Sequence, residues 1–507
     1  MKKFYITTPI YYVNDKPHLG HAYTTIAADI LARWHRMKGE KVFFLTGTDE
    51  HGEKVAKSAV EQKVTPQEMC DRNSARFQKV FDVLDISYDR FIRTTEKGHE
   101  KLTTKVLEEL NKKKLIYSGV YKGLYCVGCE RYYTSKELVD NKCPIHQQEP
   151  VTLAENCYFF KLSAFQKPLL QLIKTKEWVI KPEQRRKEIL GFLTSEKLED
   201  LAISREKVEW GIPIPWNKTQ SVYVWVEALL NYLSGINWKG PGQKRPEYWP
   251  PEAQLIGKDI LRFHAILWPA MLLSLGVSLP KELYAHGYFT VNGQKMGKSL
   301  GNAIDPEELA MIFGVDALRW LVFSSFPFGS DGDISQSRFY DKYNNELCNG
   351  LGNLFRRVLA LAVKSKGDKR GLNRFLPSKI SDINFKNKTA EVWRNYEEAL
   401  DNFKFEVALN NISGLIGFCD KYVDTKKPWK LFKQDAVQYQ MVIYNLLESL
   451  RHLAWLINPF MSLKSDSIFE CLGVLSSEKK KSLAKGKEWG KTKFINVKQG
   501  KILFPKL

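Results

Sequence analysis

The chain has 507 residues, 44% of them apolar, with 77 Lys+Arg against 57 Asp+Glu, a formal net charge of +20 and a pI of about 9.3. At about 100–200 residues per domain this is a multi-domain globular protein, and eight cysteines are too few for a disulfide scaffold of this length. A basic excess that no acidic tract balances points to a polyanionic partner.

The N-terminus, MKKFYITTPIYY, lacks the apolar core and small-residue cleavage site of a signal peptide. Residues 4–8 favour a strand, and residues 23–34 place Ile26, Ile30, Leu31 and Trp34 on one helical stripe. Residues 41–46 (KVFFLT) read as a second buried strand that ends in the polar cluster GTDEHGEK. Strand, Gly-containing turn, helix and strand open a βαβ unit. The alternation resumes at 221–225, at 253–256 followed by a helix over 260–275, and at 283–286. Between the halves lies a long insertion, about 115–215, holding CVGCERYYTSKELVDNKCPIH. The longest apolar run, 265–277, contains Pro269 and is too short to span a bilayer. No membrane partner and a cytoplasmic location are therefore expected.

Beyond residue 340 the strand signals fade. Helical patterns over 344–363, 388–402, 405–423 and 436–457 predict a bundle. Residues 476–507 hold ten lysines against two glutamates and read as a solvated, partly mobile tail. The expected fold class is α/β, a Rossmann-type parallel sheet split by an insertion and followed by an all-helical domain. The expected division is 1–114 and 221–290 for the two halves of the sheet domain, 115–220 for the insertion, 291–343 for a linking region, 344–470 for the helical domain and 471–507 for the tail.

Three groups carry chemistry. In HLGH, His18 and His21 flank Gly20 between the first strand and the first helix. Ligands of open α/β sheets bind beyond the carboxyl ends of the strands. A helix N-terminus there offers unpaired N–H groups and a positive dipole, and Gly20 allows close approach. Two imidazole donors at that point favour phosphate binding over helix capping. In VNGQKMGKSLGN, Lys295 and Lys298 stand among Gly293, Gly297 and Gly301, a loop carrying point charges toward phosphates. A P-loop is excluded, because its first glycine would fall at Asn292. In the insertion, Cys126, Cys129, Cys143 and His146 form C-x₂-C-x₁₃-C-x₂-H, two knuckles able to converge on one tetrahedral structural Zn²⁺. The remaining cysteines, Cys70, Cys157, Cys348, Cys419 and Cys471, read as isolated buried small hydrophobes.

HLGH followed about 270 residues later by KMGKS resembles the paired signatures of class I aminoacyl-tRNA synthetases. With TTPIYYVNDKPHLGHAYT, FLTGTDEHG, LEDLAISREKVEWGIPIP, VYVWVEALLNY, IGKDILRFHAILWPAML and LGNAIDPEEL in order, the sequence is similar to the bacterial or organellar methionyl-tRNA synthetases over nearly its whole length. The resemblance implies activation of methionine by ATP, with Mg²⁺, followed by transfer to tRNA(Met). His18, His21, Lys295 and Lys298 would act on the phosphates, and Gly20, Gly257 and Asp259 would help hold ATP. It implies a methionine pocket of Ile10, Tyr12, Asp49, Trp225, Ala228, Tyr232, Ile260, Phe263 and His264, and an anticodon-reading helical domain using Asn345, Arg356 or Arg357, and Trp429. Gly297 stands where the family has serine, and Leu229 where some relatives have proline. The chain lacks the extra C-terminal domain that makes some relatives dimers, so a monomer is expected. The rival reading is an inactive synthetase-like, zinc-knuckle RNA-binding protein.

Overall fold

The computed structural model describes all residues except 15, 129–130, 134–137, 146, 207, 292, 297–303, 365–373 and 378–381. Its centre is a six-stranded sheet in which every pairing is parallel. From one edge to the other the strands are Arg90–Arg93, Lys41–Asp49, Lys3–Tyr12, Ala253–Gly257, Glu282–His286 and Val179–Lys181. Alternation of side chains divides the burial. Phe4 and Ile6 pack on one face with helix Leu19–Met37, whereas Tyr5 packs on the other with Leu102, Val106 and Trp268. Strand order reverses between Lys3–Tyr12 and Ala253–Gly257, which creates the crevice where such sheets bind ligands.

Two sequence expectations need correction and a third needs refinement. Residues 221–225 do not resume the central sheet. Strand Asn217–Val222 pairs antiparallel with Pro213–Ile214 and Ser204–Arg205 in a separate small sheet, and Trp225 lies in the short helix Val224–Ala228. Val179–Lys181, inside the stretch assigned to the insertion, is an edge strand of the central sheet beside Glu282–His286. The helix expected over 260–275 is present as a continuous run to Ser274, but it is not uniformly α. Phe263–Leu267 forms a π-helical turn before Trp268–Ser274, beside Pro269, which has no N–H to donate to the preceding turn. The rest of the insertion carries its own antiparallel sheet of Ile116–Cys126, Arg131–Tyr133, Val151–Phe160 and Leu201–Ala202.

The bundle is built on Asn353–Lys364, Ile383–Asp401, Phe405–Lys426 and Ala436–Ile457. It is fixed to the sheet domain by a buried knot. Arg319 donates to Asp29 at 2.5 Å and to the carbonyl of Phe460 at 2.8 Å, so the first helix, helix Val315–Ser324 and the end of the bundle share one guanidinium. Cys348 is only half-buried, unlike Cys70, Cys157, Cys419 and Cys471.

The lysine-rich tail is not a solvated extension. Phe494, Val497, Leu503 and Phe504 are buried in the core, and Phe494 exchanges backbone hydrogen bonds with Phe375. Arg451, fully buried, donates to Glu448 at 2.9 Å, to Glu478 at 3.0 Å and to the Gly486 carbonyl at 2.6 Å, and Trp455 donates to Glu478 at 2.7 Å. Most of the lysines lie on the outside of a segment whose Leu483, Phe494, Val497, Leu503 and Phe504 point inward. Glu478→Ala should therefore destabilise the helical domain by about 3–5 kcal/mol, because it strips a buried cation of one carboxylate. Thermal unfolding checks this; a solvated tail would give a change within about 0.5 kcal/mol.

Candidate active site

The first strand runs to Tyr12 and the second to Asp49, and Tyr12 and Asp49 are register partners at the carboxyl ends of adjacent strands. On the far side of the crevice Gly257 pairs with His286 in the same way. A cleft of about 860 Å³ opens over these ends. It is lined by Ile10, Tyr12, His18, Gly20, His21, Asp49, Trp225, Ala228, Tyr232, Gly257, Asp259, Ile260 and His264, so all but one of the described sequence candidates for ATP and methionine meet there. Phe263 is not in the lining; its ring is stacked on Trp225, the centroids 4.0 Å apart.

The histidine pair caps the helix as well as facing the cleft. His18 is extended at the N-cap of Leu19–Met37, and its Nδ1 accepts from the Gly20 N–H at 3.0 Å. His21 Nδ1 accepts from the His18 N–H at 3.1 Å, and the rings stack 3.8 Å apart. Expecting phosphate contact in place of capping was therefore too narrow. Because each Nδ1 is an acceptor, a neutral ring carries its proton on Nε2 and offers a donor there. A Cβ at Gly20 would sit 2.8 Å from His18 Cε1, so only glycine leaves room for this cap.

The distant loop meets the same helix end. Leu19 N–H donates to the carbonyl of Ile304 at 2.9 Å, and Met296 lies within 3.5 Å of a Cβ built on Gly20. Strands Phe289–Val291 and Gln294–Lys295 form the hairpin that leads into the loop. Asp333 holds its turn by accepting from Gly293 N–H and Thr290 Oγ1, both at 2.9 Å, with Gly293 at φ +76°. Lys298 and Gly297, and the side chain of Lys295, lie outside the described residues.

The apolar end of the cleft is a connected aromatic wall. Tyr232 donates to His264 Nε2 at 2.8 Å, and His264 Nδ1 donates to the Ile260 carbonyl at 3.1 Å. Burial pushes His264 down to about 4, so the ring is neutral at physiological pH. At the other end, Lys258 pairs with Asp331 at 2.5 Å and lies over the Tyr288 ring, fixing the segment that carries Gly257 and Asp259.

Sequence reasoning missed several lining residues. His286 accepts from Thr24 Oγ1 at 2.6 Å and donates to the Gly287 carbonyl at 2.7 Å. Its signal was a His-Gly pair ending a predicted strand, the logic already applied to HLGH. Lys54, in the GTDEHGEK cluster, and Lys16 add positive charge to the lining, and Gly128, Ile145 and Gln148 bring the insertion to the mouth.

The metal-ligand candidates divide. Cys126 and Cys143 are buried and pack with Tyr133 in one small cluster, with Cys143 Sγ 3.4 Å from the Tyr133 hydroxyl. Cys129 and His146 lie outside the described residues, and no cluster of three metal-ligating side chains occurs among those described. In the helical domain Asn345 and Arg356 are exposed, while Arg357 pairs with Asp420 at 3.1 Å and Asp424 at 2.7 Å. Trp429 is 43% exposed, so it is not a core residue. No helix among the described residues is long and apolar enough to cross a membrane.

Comparison with known proteins agrees with this geometry. Residues 4–150 and 129–359 match the family model of class I tRNA synthetases (M), and 382–502 match the anticodon-binding domain of tRNA ligases. The methionine--tRNA ligase of Caldanaerobacter subterraneus subsp. tengcongensis is 40% identical over 100% of this chain and 79% of that protein. The Streptomyces coelicolor methionine--tRNA ligase is 39% identical over 100% of this chain and 97% of that protein. The structure of Mycobacterium tuberculosis methionyl-tRNA synthetase with methionyl-adenylate superposes with a TM-score of 0.93 at 35% identity, covering 100% of both chains. The free-state form of that enzyme gives 0.86 at 33% identity, covering 100% of this chain and 98% of that one.

Proposed function

The chain belongs to the class I methionyl-tRNA synthetases, and from that premise we propose how its own residues do the work. It is an ATP-dependent ligase: methionine and ATP give methionyl-adenylate and pyrophosphate, and the methionyl group then passes to the terminal ribose of tRNA(Met). ATP enters as its Mg²⁺ complex. The methionine carboxylate is the nucleophile at the α-phosphorus, so no protein nucleophile or general base is required. Catalysis rests on positioning and on charge stabilisation.

The Nε2–H groups of His18 and His21 donate to the phosphates at the helix N-terminus, and Lys295 and Lys298 close over pyrophosphate as its charge grows. Gly257 and Asp259 hold the ribose, and Gly20 leaves room for the phosphates. Methionine lies against Ile10, Tyr12, Trp225, Ala228, Tyr232, Ile260 and His264, with Phe263 stacked on Trp225. Asp49 pairs with its ammonium, and the neutral His264 presents no charge to the polarisable thioether. The observation that carries this reading is the junction of Leu19 with Ile304 and of Gly20 with Met296, which brings the two signature segments to one helix end.

Asn345, Arg356 or Arg357, and Trp429 read the anticodon, the exposed indole stacking on an unpaired base. Cys126, Cys129, Cys143 and His146 hold a structural Zn²⁺. The buried pair Cys126 and Cys143 fits such a soft-ligand site, and the ion would order the lobe that reaches the cleft mouth. Metal analysis should find one zinc per chain, and Cys143→Ser should lose it and loosen the lobe to proteolysis; a zinc-free wild type would contradict the assignment. A cytoplasmic monomer completes the proposal, with the division of the chain given above altered in two places: Val179–Lys181 belongs to the sheet domain and 471–507 to the helical domain.

ATP–pyrophosphate exchange across a panel of amino acids tests the function. Methionine alone should support it. Exchange with no amino acid would leave the inactive RNA-binding reading standing.

A further inference from the structure

Behind the cleft lies a buried charged group that the reaction does not touch. Glu227 sits in helix Val224–Ala228 between Trp225 and Ala228, which line the cleft, and its side chain is fully buried. One carboxylate oxygen lies 3.1 Å from His51 Nδ1 and the other 2.7 Å from His99 Nε2. His51 follows Asp49 by two residues, and its carbonyl accepts the Tyr12 hydroxyl at 2.7 Å. His99, in helix Lys97–Lys112, places its other ring nitrogen 2.8 Å from Ser234 Oγ, at the end of the helical turn that carries Tyr232. One carboxylate therefore ties the wall carrying Tyr12 and Asp49 to the wall carrying Trp225, Ala228 and Tyr232.

Packing alone does not call for such a group. A buried carboxylate is costly unless paired, and an apolar side chain of similar volume would fill the space without that cost. What the ionised group adds is direction: each oxygen fixes one imidazole, and each imidazole fixes a different segment. Burial by itself would push His51 down and Glu227 up. The attraction between them outweighs it, so His51 is held above the ordinary histidine range and Glu227 below the usual carboxylate range.

We propose that Glu227, with His51 and His99, is a positioning cluster that sets the width of the methionine pocket from outside it. The proposal rests on the methionine reading given above. Glu227→Gln puts an amide N–H where a carboxylate oxygen met an imidazole. His99→Asn and Ser234→Ala loosen the far end of the chain of contacts.

The experiment measures ATP–pyrophosphate exchange by the full chain against methionine, ATP and ethionine, which is longer by one methylene. Glu227→Gln should raise the methionine KM by about 10- to 100-fold, the loss of one hydrogen bond to a charged group. His99→Asn and Ser234→Ala should raise it by about 2- to 10-fold. In all three the ATP KM should stay within about twofold, and the preference for methionine over ethionine should shrink. Ser234→Ala removes one hydroxyl, so it reports even if Glu227→Gln fails to fold. Unchanged methionine KM and selectivity in folded His99→Asn and Ser234→Ala would overturn the proposal. So would equal rises in both KM values, or a fall in kcat alone. A wild type without methionine-dependent exchange would instead overturn the reading beneath it.

Discussion

Lys298→Ala lowers methionyl-adenylate formation by about 10²–10³-fold, with the methionine KM within about twofold of wild type. Pyrophosphate gains negative charge as the α–β bond breaks, so a cation that reaches it late in the reaction stabilises the transition state more than the bound substrates. Losing such a contact lowers kcat and kcat/KM together. The hairpin that leads into the loop is fixed by Asp333 and by the seat of Met296 near Gly20, so the loop starts beside the N-terminus of helix Leu19–Met37. Gly297 in place of the family's serine removes a hydroxyl and neither lysine. Pyrophosphate exchange by rapid quench measures the effect, and a near-normal rate would remove Lys298 from the machinery.

Asp49→Ala lowers kcat/KM for methionine by about 10²-fold or more, with little change in the ATP KM. Asp49 ends its strand beside Tyr12, is only 7% exposed, and lines the cleft where the aromatic wall begins. A substrate ammonium brought into that place without a carboxylate loses its hydration and gains no partner. Asp49→Asn keeps the shape and removes the charge, so a loss nearly as large identifies an ion pair. Recovery in Asp49→Asn would instead assign Asp49 a packing role.

The parts of this molecule readable from sequence are those whose signal is local. HLGH follows a strand and opens a helix within a few residues, and the helix Phe405–Lys426 carries its burial in a 3.6-residue period. Val179–Lys181 could not be read in that way. Three residues carry no periodicity, and their place in the sheet is set by pairing with residues about 100 positions away. The C-terminal segment misled for a related reason. Its lysines dominate the composition, while Phe494, Val497 and Phe504 are irregularly spaced and are buried by contacts with the bundle. The cap made by His18 and His21 was also hidden, because histidine is a rare helix cap and the bond depends on which ring nitrogen faces the backbone. Glu227 was legible as a residue of VYVWVEALLNY, yet its meaning lies with His51 and His99, more than 120 residues earlier.

What everything else depends on is that the imidazole pair and the loop lysines serve the same triphosphate. Methionine-dependent pyrophosphate exchange in His21→Ala, Lys298→Ala and the double variant tests that directly. Each single change should cost about 10²–10³-fold, and the double variant should lose clearly less than the product, as groups acting as a unit do. A double variant whose loss equals the product, or a single variant with near-normal exchange, would contradict it.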